Sequence, residues 1–198
     1  MKNLQHLKFN DLAPDLELLN MEGKPVKLSA LWEKQVLVLA FTRHFGCPQC
    51  KEMVDQLVGA QAEFKAKDLA LVFITQGTPE ETKVFCAQRA PGVVCLSDAE
   101  CKSYFAYKLE HASIWQSFLS LTVLRSNNRL KREKGWTPEL PPNGQDAMQM
   151  SGIFVIAPDG RIRLPYYYDN IADHPPVDLL LHGVMGVDWK RSLDGSPV

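Results

Sequence analysis

The chain has 198 residues, 45% hydrophobic and 23% charged, which is enough for one full core and ordinary for a soluble globular protein. Its net charge of -1 gives no reason to expect nucleic acid or an anionic membrane surface as a partner. No apolar stretch approaches the roughly 20 residues that span a bilayer. The start, Met1 to Asn10, has neither a secretory apolar core nor a cleavage site, so the expected compartment is the cytoplasm. Five cysteines are too few and too irregular for a secreted disulfide scaffold, so they are read as catalytic, metal-binding or buried.

In chain order, Leu16 to Leu19 and Val26 to Leu28 flank the turn-rich Asn20-Met21-Glu22-Gly23 and predict a small hairpin. Val36 to Phe41 is a continuous apolar run, the pattern of a strand covered on both faces. From Pro48, helical spacing runs through Cys50, Met53, Val54 and Leu57 to Phe64. Leu69 to Thr75 is the next buried strand, and Thr78-Pro79-Glu80-Glu81 has the order of a capped helix start. Val93 to Leu96 reads as a short strand. Ser97-Asp98 opens a helix through Tyr107, and Ser113 to Leu124 is helical, with Ile114, Phe118 and Leu121 on one face.

Residues 126–150 change character, with three asparagines, a basic cluster, three prolines and few aliphatics. They read as a long surface excursion and a candidate cover for the site. Ile153 to Ala157, Pro158-Asp159-Gly160 and Arg161 to Tyr167 form the clearest hairpin, and Pro176 to Met185 closes with an apolar helix. Alternating strands and helices followed by a hairpin predict a single α/β domain, 1–198, whose sheet is partly parallel and partly antiparallel. Apolar helices near both ends make a homodimer an expectation too.

The chemistry concentrates at Thr42-Arg43-His44-Phe45-Gly46-Cys47-Pro48-Gln49-Cys50, between an apolar strand and a helix start. With Cys47 at the N-cap and Pro48 as the first helical residue, first-turn N–H groups and the helix dipole favour an anion on the Cys47 sulfur. Arg43 adds permanent positive charge and His44 adds more when protonated. Both push the Cys47 pKa below the free value of about 8.5. Cys50, further into the helix, is expected to be less exposed and to act as the resolving thiol.

C-x-x-C is also half a zinc site, and two structural cysteines can fall at this spacing. No second C-x-x-C exists, because Cys86, Cys95 and Cys101 lie on separate elements. The redox reading is therefore preferred. Cys86 reads as a buried, inert thiol, and Cys95 with Cys101 as a candidate second disulfide. Asp173-His174 reads as turn and cap chemistry rather than an acid–base pair.

At these residues the chain resembles the thioredoxin-like superfamily, and within it the peroxiredoxin-like branch of the alkyl hydroperoxide reductase/thiol-specific antioxidant group. The matching pieces run from Leu12 to Gly183. They are Ala13-Pro14-Asp15, the Phe41 strand leading to Gly46-Cys47-Pro48-Gln49-Cys50, Leu71 to Thr75, Leu96-Ser97-Asp98, and Ile153-Phe154-Val155-Ile156 with Pro158-Asp159-Gly160. The resemblance implies a three-layer sandwich, a mixed central sheet flanked by helices, with an N-terminal hairpin added.

It also implies thiol redox chemistry without metal or organic cofactor, on a disulfide or a peroxide, with a thioredoxin, glutathione or similar thiol as reductant. Cys47, Cys50, Arg43 and His44 are the candidate catalytic residues, Cys47–Cys50 being the redox-active disulfide. Thr42, Pro48 and Ser151 are candidates for substrate positioning. Ser151 stands where such peroxidases carry an arginine and thioredoxins a proline, and Ala40 and His44 replace a usual proline and threonine. The reading is a thiol-disulfide oxidoreductase, with a thiol peroxidase and a non-enzymatic redox-sensing or interaction module as alternatives.

Overall fold

The computed structural model describes residues 5–142, 144–186 and 189–190. The side chains of Phe118 and Met185, named above, lie outside that description, as do residues 1–4 and 191–198 of the expected single domain.

The hairpin at the start forms as β1 (Glu17–Asn20) and β2 (Pro25–Lys27), followed by the short helix α1 (Ser29–Trp32). Then come β3 (Val36–Phe41), α2 (Pro48–Gly59), α3 (Gln61–Ala66), β4 (Leu69–Thr75), α4 (Pro79–Arg89), β5 (Val94–Ser97) and α5 (Lys102–Ala106). A π-helical turn at Trp115–Leu119 leads into α6 (Leu121–Lys134), and β6 (Gly152–Ile156), β7 (Ile162–Tyr167) and α7 (Val177–His182) finish the fold. Among the described residues seven strands make one sheet, ordered β2-β1-β5-β4-β3-β6-β7. β3, β4 and β5 run parallel, while β6 lies antiparallel to β3 and the N-terminal hairpin joins antiparallel beside β5. This is the mixed sheet that the sequence predicts.

β3 reads as an unbroken apolar run because both of its faces are covered. Val36, Val38 and Ala40 enter a core shared with α2, α4, α6 and α7, whereas Leu37, Leu39 and Phe41 enter one shared with α1 and α5. All six are completely buried. Side chains alternate across a strand, so a polar residue at any of these positions would land in one core or the other.

The Thr78 prediction holds in full: Thr78 Oγ1 accepts from the Glu81 N–H at 3.3 Å and Glu81 Oε2 accepts from the Thr78 N–H at 2.9 Å. Asp98 does the same work for α5, later than expected. Its carboxylate accepts from the N–H groups of Lys102 and Ser103, because the chain first turns through a left-handed Cys101 at φ 53.

Further boundaries differ from expectation. The helix expected over Ser113 to Leu124 is split at Ser120, which is extended (φ -62, ψ 135) and caps α6. The helix starting at Pro48 does not run unbroken to Phe64; Ala60, next to the poor helix former Gly59, leaves helical geometry at ψ 8 and α3 begins afresh. Residues 126–150 are not all irregular, because α6 extends to Lys134 and ends on Gly135 at φ 70. Its scarcity of aliphatics reflects a helix that buries one stripe only, Val123, Ser126 and Leu130. The surface excursion is confined to the segment that follows.

Cys86 and Cys95 are joined as a disulfide between α4 and β5, with Cα atoms 6.7 Å apart. Cys86 is thus not an inert thiol, and Cys95 does not pair with Cys101. The sheet explains why: Cys86 and Cys95 share the core of α2 and α4, while Cys101 packs against the core on the opposite face.

Candidate active site

The end of β3 sets the site. Thr42 N–H still bonds to the Ile74 carbonyl, so the chain leaves the sheet only after that residue and turns back into α2 at Cys47. Cys47 is the N-cap (φ -82, ψ 115), Pro48 is the first helical residue and Cys50 the third, as the motif predicts. Cys47 and Cys50 are free thiols.

Arg43 is buried and gripped from behind. Its Nε donates to the Gln149 carbonyl at 2.9 Å and one terminal nitrogen donates to the Ala147 carbonyl. The other, NH1, lies 3.4 Å from Cys47 Sγ. The Arg43 backbone N–H donates to Cys50 Sγ at 3.3 Å. One residue therefore touches both sulfurs, by charge at one and by its main chain at the other.

The consequence is a split between the two thiols. Cys47 is pushed down to about 6, first by the hydrogen bond that Cys50 gives it, against the opposing effect of burial, and further by the Arg43 charge. No capping hydrogen bond of normal geometry reaches the sulfur from the first turn, though the Cys50 N–H lies close enough to favour the anion. Cys50 is pushed well up, by burial and then by the hydrogen bond to Cys47. The two shifts favour the thiolate form at Cys47 and the thiol form at Cys50.

His44 does not add positive charge. Burial, and then repulsion from Arg43, push it down to about 4, so it is neutral in the range where the site would work. Its Nδ1 is buried without a hydrogen-bond partner. Thr42 turns its hydroxyl to the Ile74 carbonyl at 3.1 Å instead of toward the sulfur, and its own carbonyl accepts from the Tyr104 hydroxyl at 2.7 Å. Ser151 Oγ lies 4.0 Å from Cys50 Sγ, beside the resolving thiol. Pro48 lines the cavity in front of Cys47. Among the described residues no cluster of metal-binding side chains is gathered beside the pair.

Exposure departs from the expected ranking. Cys47 and Cys50 are equally buried, at 2% each, and residues 136–142 cross over the turn at Gly46. Between this roof and Cys47 remains a cavity of about 220 Å³, walled by Pro48, Pro138, Leu140, Pro141 and Ile171, with His44 and Ser117 among its polar neighbours.

Several contributors escape a reading of the sequence. Gln49, inside the motif, is buried; its Nε2 donates to Asn127 Oδ1 at 2.6 Å and its Oε1 lies 3.6 Å from Cys47 Sγ. Its place between the two cysteines was the available signal. The Gln149 and Ala147 carbonyls that aim Arg43, and the Ser117 hydroxyl on the π-helical turn, carry no signal in the sequence. Asp173 accepts from the Tyr166 hydroxyl and the Asp169 N–H, and His174 packs on Tyr168, which is turn and packing chemistry.

Comparison with known proteins gives the family and the fold. A sequence model of the AhpC/TSA family matches residues 9–164, and the chain belongs to that family. It is similar to the chloroplastic thioredoxin-like protein AAED1 of Arabidopsis thaliana, 31% identical over 86% of this chain and 71% of that one. It is also similar to peroxiredoxin-like 2C of Bos taurus, 26% identical over 88% of this chain and 80% of the other. Among solved structures, the peroxidoxin BcpB of Mycobacterium tuberculosis superposes with a TM-score of 0.67 at 19% identity, covering 92% of this chain and 99% of that one. The fold is thioredoxin-like, and the protein is a thiol-dependent oxidoreductase.

Proposed function

We propose that Cys47 is the attacking thiolate and Cys50 the resolving thiol of a dithiol/disulfide cycle. The observation that carries this reading is the Arg43 guanidinium 3.4 Å from a Cys47 sulfur whose pKa is pushed down to about 6. With a peroxide, the Cys47 sulfur bonds to one oxygen as the O–O bond breaks. The other oxygen leaves as alkoxide or hydroxide and takes a proton, and Cys47 becomes a sulfenic acid. Cys50 then attacks that sulfur, water departs and the Cys47–Cys50 disulfide forms. With a disulfide, the same thiolate forms a mixed disulfide, which Cys50 resolves with loss of the second thiol.

The division of labour follows from the opposite pKa shifts. Cys50 stays protonated until Cys47 has reacted, which prevents it from competing for the substrate. Arg43 offsets the charge that develops on the oxygens near Cys47. Neutral His44, with Nδ1 facing no partner, is a hydrogen-bonding neighbour in the cavity, and the departing oxygen takes its proton from water. Ser151 is the polar neighbour of Cys50 during resolution. A thiol reductant such as thioredoxin or glutathione, supplying two electrons and two protons, returns the pair to the dithiol.

Rapid mixing of reduced protein with hydrogen peroxide tests the cycle. Oxidation no faster than that of a free thiolate rejects the peroxide route, and unchanged turnover in Cys47→Ser rejects both routes. The homodimer is proposed at the exposed apolar surface of Ile114, Trp115, Leu121 and Leu124, and sedimentation tests it.

A further inference from the structure

Residues 136–142 form a roof fastened at three points. At its root the Arg89 guanidinium lies 4.7 Å from the Trp136 ring centre. In the middle the Glu139 N–H donates to the Gly46 carbonyl at 3.1 Å, and the Glu139 carboxylate lies 3.2 Å from Lys51 Nζ. The contact with Gly46 is as close as backbone allows. A Cβ at that position would stand 2.7 Å from the Glu139 carbonyl oxygen and 2.8 Å from that of Leu140. Gly46 is the one residue of the motif turn that lets another stretch of main chain lie flat on it.

The roof has a chemical consequence. Exchange with a protein disulfide requires a partner loop to bring its sulfur in line with Cys47, and Cys47 is 2% exposed beneath the roof. The cavity of about 220 Å³ admits a small molecule but not a peptide segment. The fastenings are also weak enough to release. Leu140 is 91% exposed and holds nothing down, and the Lys51–Glu139 pair is half in water, where ion pairs contribute little.

We propose that this roof selects the oxidant, with Gly46 and Glu139 as specificity-determining residues. Closed, it admits small peroxides to Cys47 and turns away protein disulfides. Its minor lifted fraction gives the reductant its later access to the Cys47–Cys50 bond. The proposal rests on Cys47 being the attacking sulfur, as argued above, and names which oxidant that sulfur meets.

The test is size-selective alkylation, which needs no turnover. Reduced protein carrying Cys101→Ser is treated with N-ethylmaleimide or with a maleimide on a polyethylene glycol chain. Modification of Cys47 is read by peptide mass, against the ratio of the two reagents on glutathione. The large reagent is expected to lag by about tenfold or more beyond that ratio, since only the lifted fraction reacts. Gly46→Ala, whose Cβ cannot coexist with the seated roof, narrows the gap. Glu139→Ala, which removes the Lys51 pair and keeps the main-chain bond to Gly46, narrows it by a smaller factor of about two to five and decides the matter where Gly46→Ala does not fold. A wild-type ratio equal to that on glutathione overturns the proposal, as does a gap that neither variant alters. Selective alkylation in a protein that forms no Cys47–Cys50 bond with peroxide supports the roof while rejecting the dithiol cycle, so the two failures are distinguishable.

Discussion

The Arg43 guanidinium reaches Cys47 Sγ at 3.4 Å while the carbonyls of Gln149 and Ala147 hold its other nitrogens. The charge that acidifies the thiol is therefore fixed by a segment far along the chain rather than by the motif itself. Arg43→Met is expected to raise the Cys47 pKa by about 1 to 2 pH units, the usual effect of losing an adjacent cation. Arg43→Lys recovers only part, because a single nitrogen cannot span the two carbonyls and the sulfur that three separate guanidinium nitrogens reach. The pH dependence of Cys47 reaction with iodoacetamide measures both.

His44 links the site to acid stability. Its folded pKa of about 4 lies below the ordinary 6.5, so below 6.5 the unfolded chain takes up a proton that the folded one refuses. The contribution is complete above 6.5 and is lost as pH falls toward 4. The loss is expected to reach on the order of 2 kcal/mol. Urea unfolding of the reduced protein across that range should show it, and His44→Gln should flatten the curve.

Cys50→Ser separates attack from resolution. Treated with hydrogen peroxide, this variant should accumulate Cys47 sulfenic acid, trapped by dimedone at one adduct per chain. The wild-type chain should show little adduct and a Cys47–Cys50 bond instead. Adduct in both, with no bond in wild type, contradicts the resolving role.

The Cys86–Cys95 bond closes a short loop between α4 and β5. Breaking it by Cys86→Ala in the oxidised protein is expected to cost roughly 2–3 kcal/mol from loop-closure entropy, measured by denaturant unfolding with and without reductant. The rate at Cys47 should be unaffected.

How much of this was legible depended on the range of the interaction. β3 and β4 announced themselves because burial on both faces leaves an uninterrupted apolar run, and Thr78-Pro79-Glu80-Glu81 because a capping box is local chemistry. The placement of Cys47, Pro48 and Cys50 was legible for the same reason. The proline-rich stretch could be read as a candidate cover for the site, but its seat on Gly46 could not, because Glu139 and Leu140 arrive from far along the chain and nothing local marks that contact. The pairing of Cys86 with Cys95 was hidden too, since spacing does not reveal which sheet face a cysteine shares. His44 looked like a cation until its burial beside Arg43 was visible.

The central claim is that Cys47 is an anion at neutral pH because of where it is held. Thiolate absorbance at 240 nm, titrated in the reduced protein and corrected with Cys47→Ser, measures it directly. The account predicts an inflection at about 6 that disappears in the variant. A first inflection near the ordinary value of about 8.5, or one at about 6 that survives Cys47→Ser, contradicts it.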